Sequence, residues 1–285
     1  MNSPAISLVC TTIGRPNALR RHLDALAQVD LAEEVEFILV DQSPEQACAT
    51  LLKEHGLPGP WRVTTSGRGA SVGRNAGLEL ATAPIIAFPD DNCWYSPDTV
   101  RMVLAELGQR IELAGITGKQ IAADGSPSML RWLNREVPVT RTNFMRTSIC
   151  STMFLRRSAL PSDRPFDETI GTGSPGIYGA GEESDLLLRM LASGSRVLYR
   201  PDIVVFQDDD RVNPGEEYVA KMLRYGAGIG HLWRRHHLPI RLFGYYAARK
   251  AVGAGIRTVR GQPIRARADR AFIRGQWAGW RGVAP

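Results

Sequence analysis

Phe88-Pro89-Asp90-Asp91-Asn92-Cys93-Trp94-Tyr95 follows the apolar run Pro84, Ile85, Ile86, Ala87. That run reads as a buried strand, which sets Asp90 and Asp91 at its C-terminal edge. Two neighbouring carboxylates at such an edge repel each other, and burying them uncompensated is costly. A divalent cation, Mg²⁺ or Mn²⁺, together with a diphosphate would compensate both. One or two carboxylates plus substrate phosphates is the usual way such ions are held. The same residues also suit a solvated Asp-Asp-Asn turn.

Outward from this stretch, the first 120 residues alternate strand and helix patterns. Ile6–Cys10, Val35–Val40 and Pro84–Phe88 are short apolar, β-branched runs. Between them, Pro16–Gln28 carries Leu19, Leu23 and Leu26 at helical spacing. Ser96-Pro97-Asp98 supplies an N-cap and a proline at the first helical position, with Val100, Val103, Leu104 and Leu107 following on one face. Alternating strands and helices predict an α/β fold with a mostly parallel central sheet and right-handed crossovers. Ligands of such sheets lie beyond the carboxyl ends of the strands. Three of those ends are polar: Thr11-Thr12, Asp41-Gln42-Ser43 and Asp90-Asp91-Asn92. Topology therefore predicts that they converge.

Further along, Ile149–Leu155 reads as a strand. Gly171–Gly181 holds five glycines and a proline, which suggests a mobile lid or binding loop. Glu182–Ala192 reads as a helix with acids in its first turn and Leu186, Leu187, Met190 and Leu191 on its buried face. Arg196–Tyr199 and Ile203–Phe206 read as closing strands.

The 285 residues are 44% hydrophobic and 22% charged, ordinary for a globular chain. Cys10, Cys48, Cys93 and Cys150 match no metal-ligand spacing and predict reduced, buried thiols. The N-terminus shows no basic segment followed by a long apolar stretch, so no secretory leader is expected. No apolar run approaches the ~18 residues of a spanning helix. A cytoplasmic location follows as an expectation.

Charge is uneven. From Lys221 onward there are 14 Lys and Arg against one acid, Asp269, whereas the first 220 residues carry 21 basic and 28 acidic groups. The pattern also changes at Glu216, after which Tyr218, Met222, Tyr225, Ile229 and Trp233 line one side of a helix. Leu238–Ile256 then mixes aromatic and small residues with Arg241, Arg249 and Lys250, and Trp277 and Trp280 sit among arginines. Residues 1–215 are expected to form the main domain and 216–285 a basic helical appendage. Basic groups interleaved with aromatics suit a helix lying on an anionic membrane surface. A solvated helical appendage is the alternative. No nucleic-acid-binding module is visible, so nucleic acid is not an expected partner.

Two further motifs bear on chemistry. Gly67-Arg68-Gly69-Ala70-Ser71-Val72-Gly73-Arg74-Asn75-Ala76-Gly77 combines close backbone approach with forked donors for phosphate or carboxylate. Its spacing fits neither the Rossmann nor the P-loop pattern. Read blandly, it is a connector whose Arg74 pairs with a structural acid. Gly181-Glu182-Glu183-Ser184-Asp185 supplies acids at a helix start, where a carboxylate could accept a proton or simply complement the helix dipole.

In order and spacing, residues 5–210 resemble the inverting glycosyltransferases of family 2, with the nucleotide-diphospho-sugar transferase fold called GT-A. The resemblance rests on Ile6–Thr12, Ile38–Ser43, Gly69–Gly77 with Arg74-Asn75, Phe88–Asn92, Trp94–Asp98, Phe166-Asp167-Glu168, Gly181-Glu182-Glu183 and Tyr199-Arg200-Pro201. It implies that Thr11, Asp41 and Gln42 contact the nucleotide base, and that Arg74 and Asn75 lie near the nucleotide. It further implies Asp90 at the ribose and Asp91 at a divalent cation, Mn²⁺ or Mg²⁺. Glu183 becomes the general base, with Glu182 as the second candidate. The implied partners are a nucleotide-diphospho-sugar donor and a glycan or lipid-linked acceptor. This chain departs from the family pattern in three places. Asp41-Gln42-Ser43 replaces Asp-Asp-Gly-Ser, and Glu183 replaces an Asp. Gln207-Asp208 stands where many relatives place a metal-contacting His, which makes Asp208 a candidate metal ligand. A nucleotidyltransferase is the second enzyme class, but Thr12-Ile13-Gly14-Arg15-Pro16 is too brief for its glycine-rich loop. A non-catalytic sugar-nucleotide-binding protein would leave the acids idle.

Overall fold

The computed structural model describes residues 3–126, 128, 130–208 and 214–284. Its first elements are β1 (Ile6–Thr12), α1 (Pro16–Leu26), β2 (Val35–Asp41), α2 (Ala47–His55), β3 (Trp61–Thr64), α3 (Ala70–Leu80) and β4 (Ile85–Ala87). Then come β5 (Cys93–Tyr95), α4 (Thr99–Gln109), β6 (Gly115–Ala122), β7 (Val137–Pro138), β8 (Met153–Arg156), α5 (Glu182–Ala192) and β9 (Val197–Gln207). Three long helices follow: α6 (Glu216–Arg235), α7 (Ile240–Val259) and α8 (Pro263–Arg281).

The nine-stranded sheet runs β3-β2-β1-β4-β8-β6-β9-β5, with β7 on β9. Its first four strands are parallel, as the alternation of strand and helix demands. β8 then inserts antiparallel between β4 and β6, and β5 pairs antiparallel with β9. The parallel character is thus confined to one half, plus the β6–β9 pair. Every β2 residue and all of β1 except Thr11 are buried, as expected of central strands covered on both faces.

Helix α1 buries Leu19, Leu23 and Leu26 as the spacing predicts, with His22 beside them. Helix α4 begins at Thr99 rather than at Pro97, and Ser96 Oγ donates to Asp98 in the preceding turn (2.9 Å). The expected strand at 149–155 starts late. Ile149 C=O accepts from both Thr152 N and Thr152 Oγ1 (2.9 Å each), which winds Cys150–Thr152 into a 3₁₀ turn ahead of β8. The two expected closing strands are one. Between Tyr199 and Val204 the register against β6 slips, and Pro201, which has no N–H to give, sits in the bulge.

Helix α3 lies close over the sheet for a steric reason. A Cβ on Gly77 would stand 2.4 Å from Val9 Cγ1, and one on Gly73 2.6 Å from Thr11 Cγ2. Two glycines of the 67–77 run, Gly73 and Gly77, therefore serve helix–sheet packing.

The chain divides into two units. The first holds Met1–Arg68, Val72–Phe166 and Leu186–Asp209; the second holds Gly69–Ser71, Asp167–Asp185 and Asp210–Pro285. In the second, α6 and α8 meet through glycine. Cβ atoms on Gly226 and Gly230 would fall 2.0 Å from the carbonyl oxygens of Phe272 and Gln276. Gly275 and Gly279 stand in the same relation to Leu223 and Ala227. The buried face of α6 is accordingly Gly226, Ala227, Gly228, Gly230, Leu232 and Trp233. Of the expected aromatic stripe, only Trp233 is buried; Tyr218, Met222, Tyr225 and Ile229 are half-buried.

Candidate active site

Within the first unit, the polar ends of β1, β2 and β4 do meet. Thr12 is in register with Asp41, and Thr11 forms a parallel bridge to Asp90. Parallel pairing of β1 with both neighbours brings these ends to one edge of the sheet.

Asp91 is fully buried and already partnered. Thr12 Oγ1 donates to its Oδ2 at 2.6 Å, Arg15 Nε donates at 3.1 Å, and Arg15 Nη2 closes the pair on Oδ1. Burial raises the carboxyl above its ordinary range, opposed by the Arg15 charge and the Thr12 hydroxyl. Arg15 and Thr12 thus offset part of the cost of burying Asp91. Nothing in the sequence marks either as a partner of Asp91, although Thr12 lies at one of the polar strand ends. Thr12 also shapes the turn, its Oγ1 accepting from Gly14 N (3.2 Å) and Arg15 N (3.4 Å).

Asp90 is more open and receives Arg74 Nη2 at 3.1 Å. The Arg74 guanidinium lies 5.5 Å above the Phe166 ring and is nearly buried. Asn75, the next residue, clamps Phe166: its Nδ2 donates to the Phe166 carbonyl (2.9 Å) and its Oδ1 accepts from Phe166 N (3.0 Å). Both ends of that amide are thus engaged with backbone, which gives Asn75 a scaffolding duty.

Asp41 is buried and hydrogen-bonded on both oxygens. Oδ1 accepts from Ser43 N (3.0 Å) and Ser43 Oγ (2.6 Å), and Oδ2 from Ala49 N (3.0 Å) in the first turn of α2. It therefore ties the β2 end to the start of α2, using donors that a helix N-terminus leaves over. Gln42 Nε2 donates to Ser66 Oγ (2.8 Å) and Gly67 O (2.6 Å), tethering the glycine-rich run to the same edge.

Asp208 follows β9, which pairs with β5, and its N–H donates to Asn92 O at 3.1 Å. The fold thus sets it beside the Asp90–Asn92 segment. Its carboxylate is paired with Arg21, whose guanidinium also lies 5.5 Å over Trp94. In kind, the carboxylate oxygens of Asp91 and Asp208 fit Mg²⁺ or Mn²⁺. Arg15 and Arg21, with side chains 43% and 54% exposed, are the groups a cation would displace. Among the described residues there is no cluster of three or more His, Cys, Asp or Glu able to hold a metal, so phosphate oxygens would complete the shell.

In the second unit, Glu182 and Glu183 open α5. Glu182 is buried against Gly171, whose positive φ (+111°) and lack of a Cβ admit its carboxyl. Glu183 is half-exposed and the more accessible of the two. The turn that presents them is fastened to α6. Gly228 admits Ala180, Gly179 N donates to Arg224 O (3.0 Å), and buried Asp185 accepts from His236 Nε2 (2.8 Å) and faces Arg235 Nε (3.3 Å). Arg235 also bonds Asp167. Partial burial pulls the Asp167 carboxyl up, but Arg235 and Thr169 bring it down to about 2. Arg224 Nη2 donates to the carbonyls of Ser174 (2.6 Å) and Gly176 (2.7 Å), and Tyr178 stacks on His231 at 4.2 Å. Gly171–Gly181, expected as a mobile lid or binding loop, is held to α6 through Ser174, Gly176, Gly179 and Ala180. None of these α6 partners was legible as such in the sequence; only the acid at Asp185 was.

The four cysteines are free and buried, and burial pushes the thiols of Cys10 and Cys93 well up.

An α/β sheet with polar strand ends at one edge is the architecture of the GT-A glycosyltransferases, and comparisons agree. A mannosyltransferase, PcManGT from Pyrobaculum calidifontis, solved with GDP-Man and Mn²⁺, superposes with a TM-score of 0.66 at 13% identity, over 97% of this chain and 88% of that one. S. aureus TarS 1–349 in complex with UDP-GlcNAc superposes at 0.58 with 14% identity, over 98% and 92% of the two chains. Residues 7–160 match Glycosyl transferase family 2, and the chain belongs to that family. EpsH of Bacillus subtilis (strain 168), which bears a glycosyltransferase name, is 26% identical over 115 residues. That match takes in 40% of this chain and spans a third (33%) of the length of EpsH.

Proposed function

We propose that the chain transfers a sugar from a nucleotide-diphospho-sugar to an acceptor hydroxyl with inversion at the anomeric carbon. The observation that carries this reading is the acid pair Asp90-Asp91 at the joined ends of β1 and β4, with Arg74 on Asp90, in a family 2 chain. GDP-Man and UDP-GlcNAc in the complexes of similar folds support a nucleotide-sugar donor, and Mn²⁺ in one supports a divalent cation. Thr11, Asp41 and Gln42 would border the base, Arg74 the phosphates and Asp90 the ribose. Asp91, with Asp208, would hold Mn²⁺ or Mg²⁺, which when bound supplies positive charge against the diphosphate leaving group.

Glu183 accepts the proton of the attacking hydroxyl, so that inversion proceeds by a single displacement without a covalent enzyme intermediate. Its accessibility relative to buried Glu182 supports that assignment. Its extra methylene relative to Asp shifts the carboxylate by about one C–C bond, a distance that matters where reach is tight. The acceptor is a glycan or lipid-linked sugar of surface polysaccharide or glycolipid assembly, met by an enzyme held peripherally at an anionic membrane.

The test is release of nucleoside diphosphate across a panel of UDP- and GDP-sugars with Mn²⁺. Glu183→Gln is expected to lose transfer by roughly 10²–10⁴-fold while nucleoside diphosphate still binds. Near-full turnover in that variant would remove Glu183 from the role.

A further inference from the structure

Resting on the proposal that the C-terminal region meets a lipid surface, we infer that α7 is the element that does so, lying in the headgroup plane with one stripe of side chains inserted. That stripe is Tyr245, Val252, Ile256 and Val259, at i, i+7, i+11 and i+14 on a single helical face. These residues are 55%, 63%, 49% and 89% exposed, unusual for four large apolar side chains in one row.

They are not spare core. The opposite face of α7 already has its partners: Phe243 and Ala254 are buried, and Phe243 packs edge-on against Trp233 (6.1 Å) and Trp277 (5.2 Å). Charge then selects the occupant. Helix α7 contains no acid, and Arg241, Arg249 and Arg260 stand exposed along or beside the stripe. Arg270 of α8 donates to Thr258 Oγ1 (2.9 Å), placing a further guanidinium next to Val259. Asp269, the single acid from residue 221 onward, is buried and turned inward onto Lys250 and Arg257. Among the described residues from 221 onward, no exposed side-chain carboxylate offsets the arginines. A second copy would bring like charges together, whereas an anionic bilayer supplies headgroups for the arginines and acyl boundary for the stripe. No helix among the described residues is long and apolar enough to cross a membrane, and a single exposed apolar row suits a helix at the interface.

The experiment uses the full chain and sucrose-loaded phosphatidylcholine vesicles with or without phosphatidylglycerol. Wild type should sediment with the anionic vesicles, and Val252→Glu/Ile256→Glu should weaken that partition about ten-fold or more. Because the native thiols are all buried, Val252→Cys carries one accessible label site. An environment-sensitive fluorophore there should shift blue on anionic vesicles, while the same label on Glu45→Cys, exposed in the other unit, should not. If wild type binds but neither the glutamates nor the Val252 label responds, another face docks and the α7 assignment is wrong. If wild type fails to bind, the membrane reading falls first and this one with it. A blue shift without vesicles at doubled mass would give the stripe to a second copy and overturn the assignment.

Discussion

Arg15 and Asp91 are 76 residues apart in sequence, yet they pair at the acid edge. On the proposed role of Asp91 as a cation ligand, a divalent ion would have to displace this guanidinium. Arg15→Ala should therefore lose roughly 2 kcal/mol of stability, less than the figure for a fully buried pair because the Arg15 side chain is half exposed. Mn²⁺ should then raise its melting temperature more than that of wild type; equal rises would show that Arg15 does not compete. His22 offers a separate residue-scale test. Burial, only partly offset by donation from its Nδ1–H to the Cys93 carbonyl, drives its imidazole down to about 4, and Nε2 finds no partner among the described residues. As pH falls from 6.5 towards 4, the unfolded chain takes up this proton first. Stability should decline across that window, by roughly 3 kcal/mol from this group in total. His22→Phe, facing Phe37 and Tyr95, should flatten the decline in denaturant midpoints; an unchanged slope would assign it to other groups.

Elements were most legible where apolar residues recur at one period. Helix α1, β1 and β2 follow from spacing, and on α4 Val100, Val103 and Leu107 are buried as spacing predicts, with Leu104 half-buried, because an apolar stripe on a helix covering the sheet faces the core. Helix α6 shows where that logic breaks. Half of its buried face is glycine, which carries no hydrophobic signal but lets two backbones touch, so the aromatic row dominates the local pattern without marking the buried side. Gly230→Val would drive a side chain into the Gln276 carbonyl. We expect a loss of about 3 kcal/mol, or some 6–12 °C in melting temperature for a chain of this size. Gly244→Ala on α7, where a Cβ meets nothing within 4 Å, should be neutral or raise stability by about 0.5–1 kcal/mol. Equal effects from the two would mean that the α6–α8 packing is not tight. The same helix fastens the start of α5 through Gly228, His236 and Arg235, so a region that reads as an appendage frames the candidate base.

Across the whole molecule, charge is the property that local sequence reports most faithfully, since a net count needs no coordinates. The acidic body and the strongly basic stretch after residue 220 were plain from composition. Which arginines remain available was not, because that depends on Asp269 turning inward to Lys250 and Arg257. By itself the sequence determined the strand–helix alternation, the polar ends of β1, β2 and β4, the family and the location of the positive charge. Periodicity, propensity and net charge are properties of neighbouring residues. Only the tertiary structure decided that β8 runs antiparallel through the sheet, that Arg15 and Thr12 bond Asp91, and that Asn75 bonds the Phe166 backbone. Those partners lie 67 to 91 residues apart, and geometry that distant is set by packing, not by any local pattern.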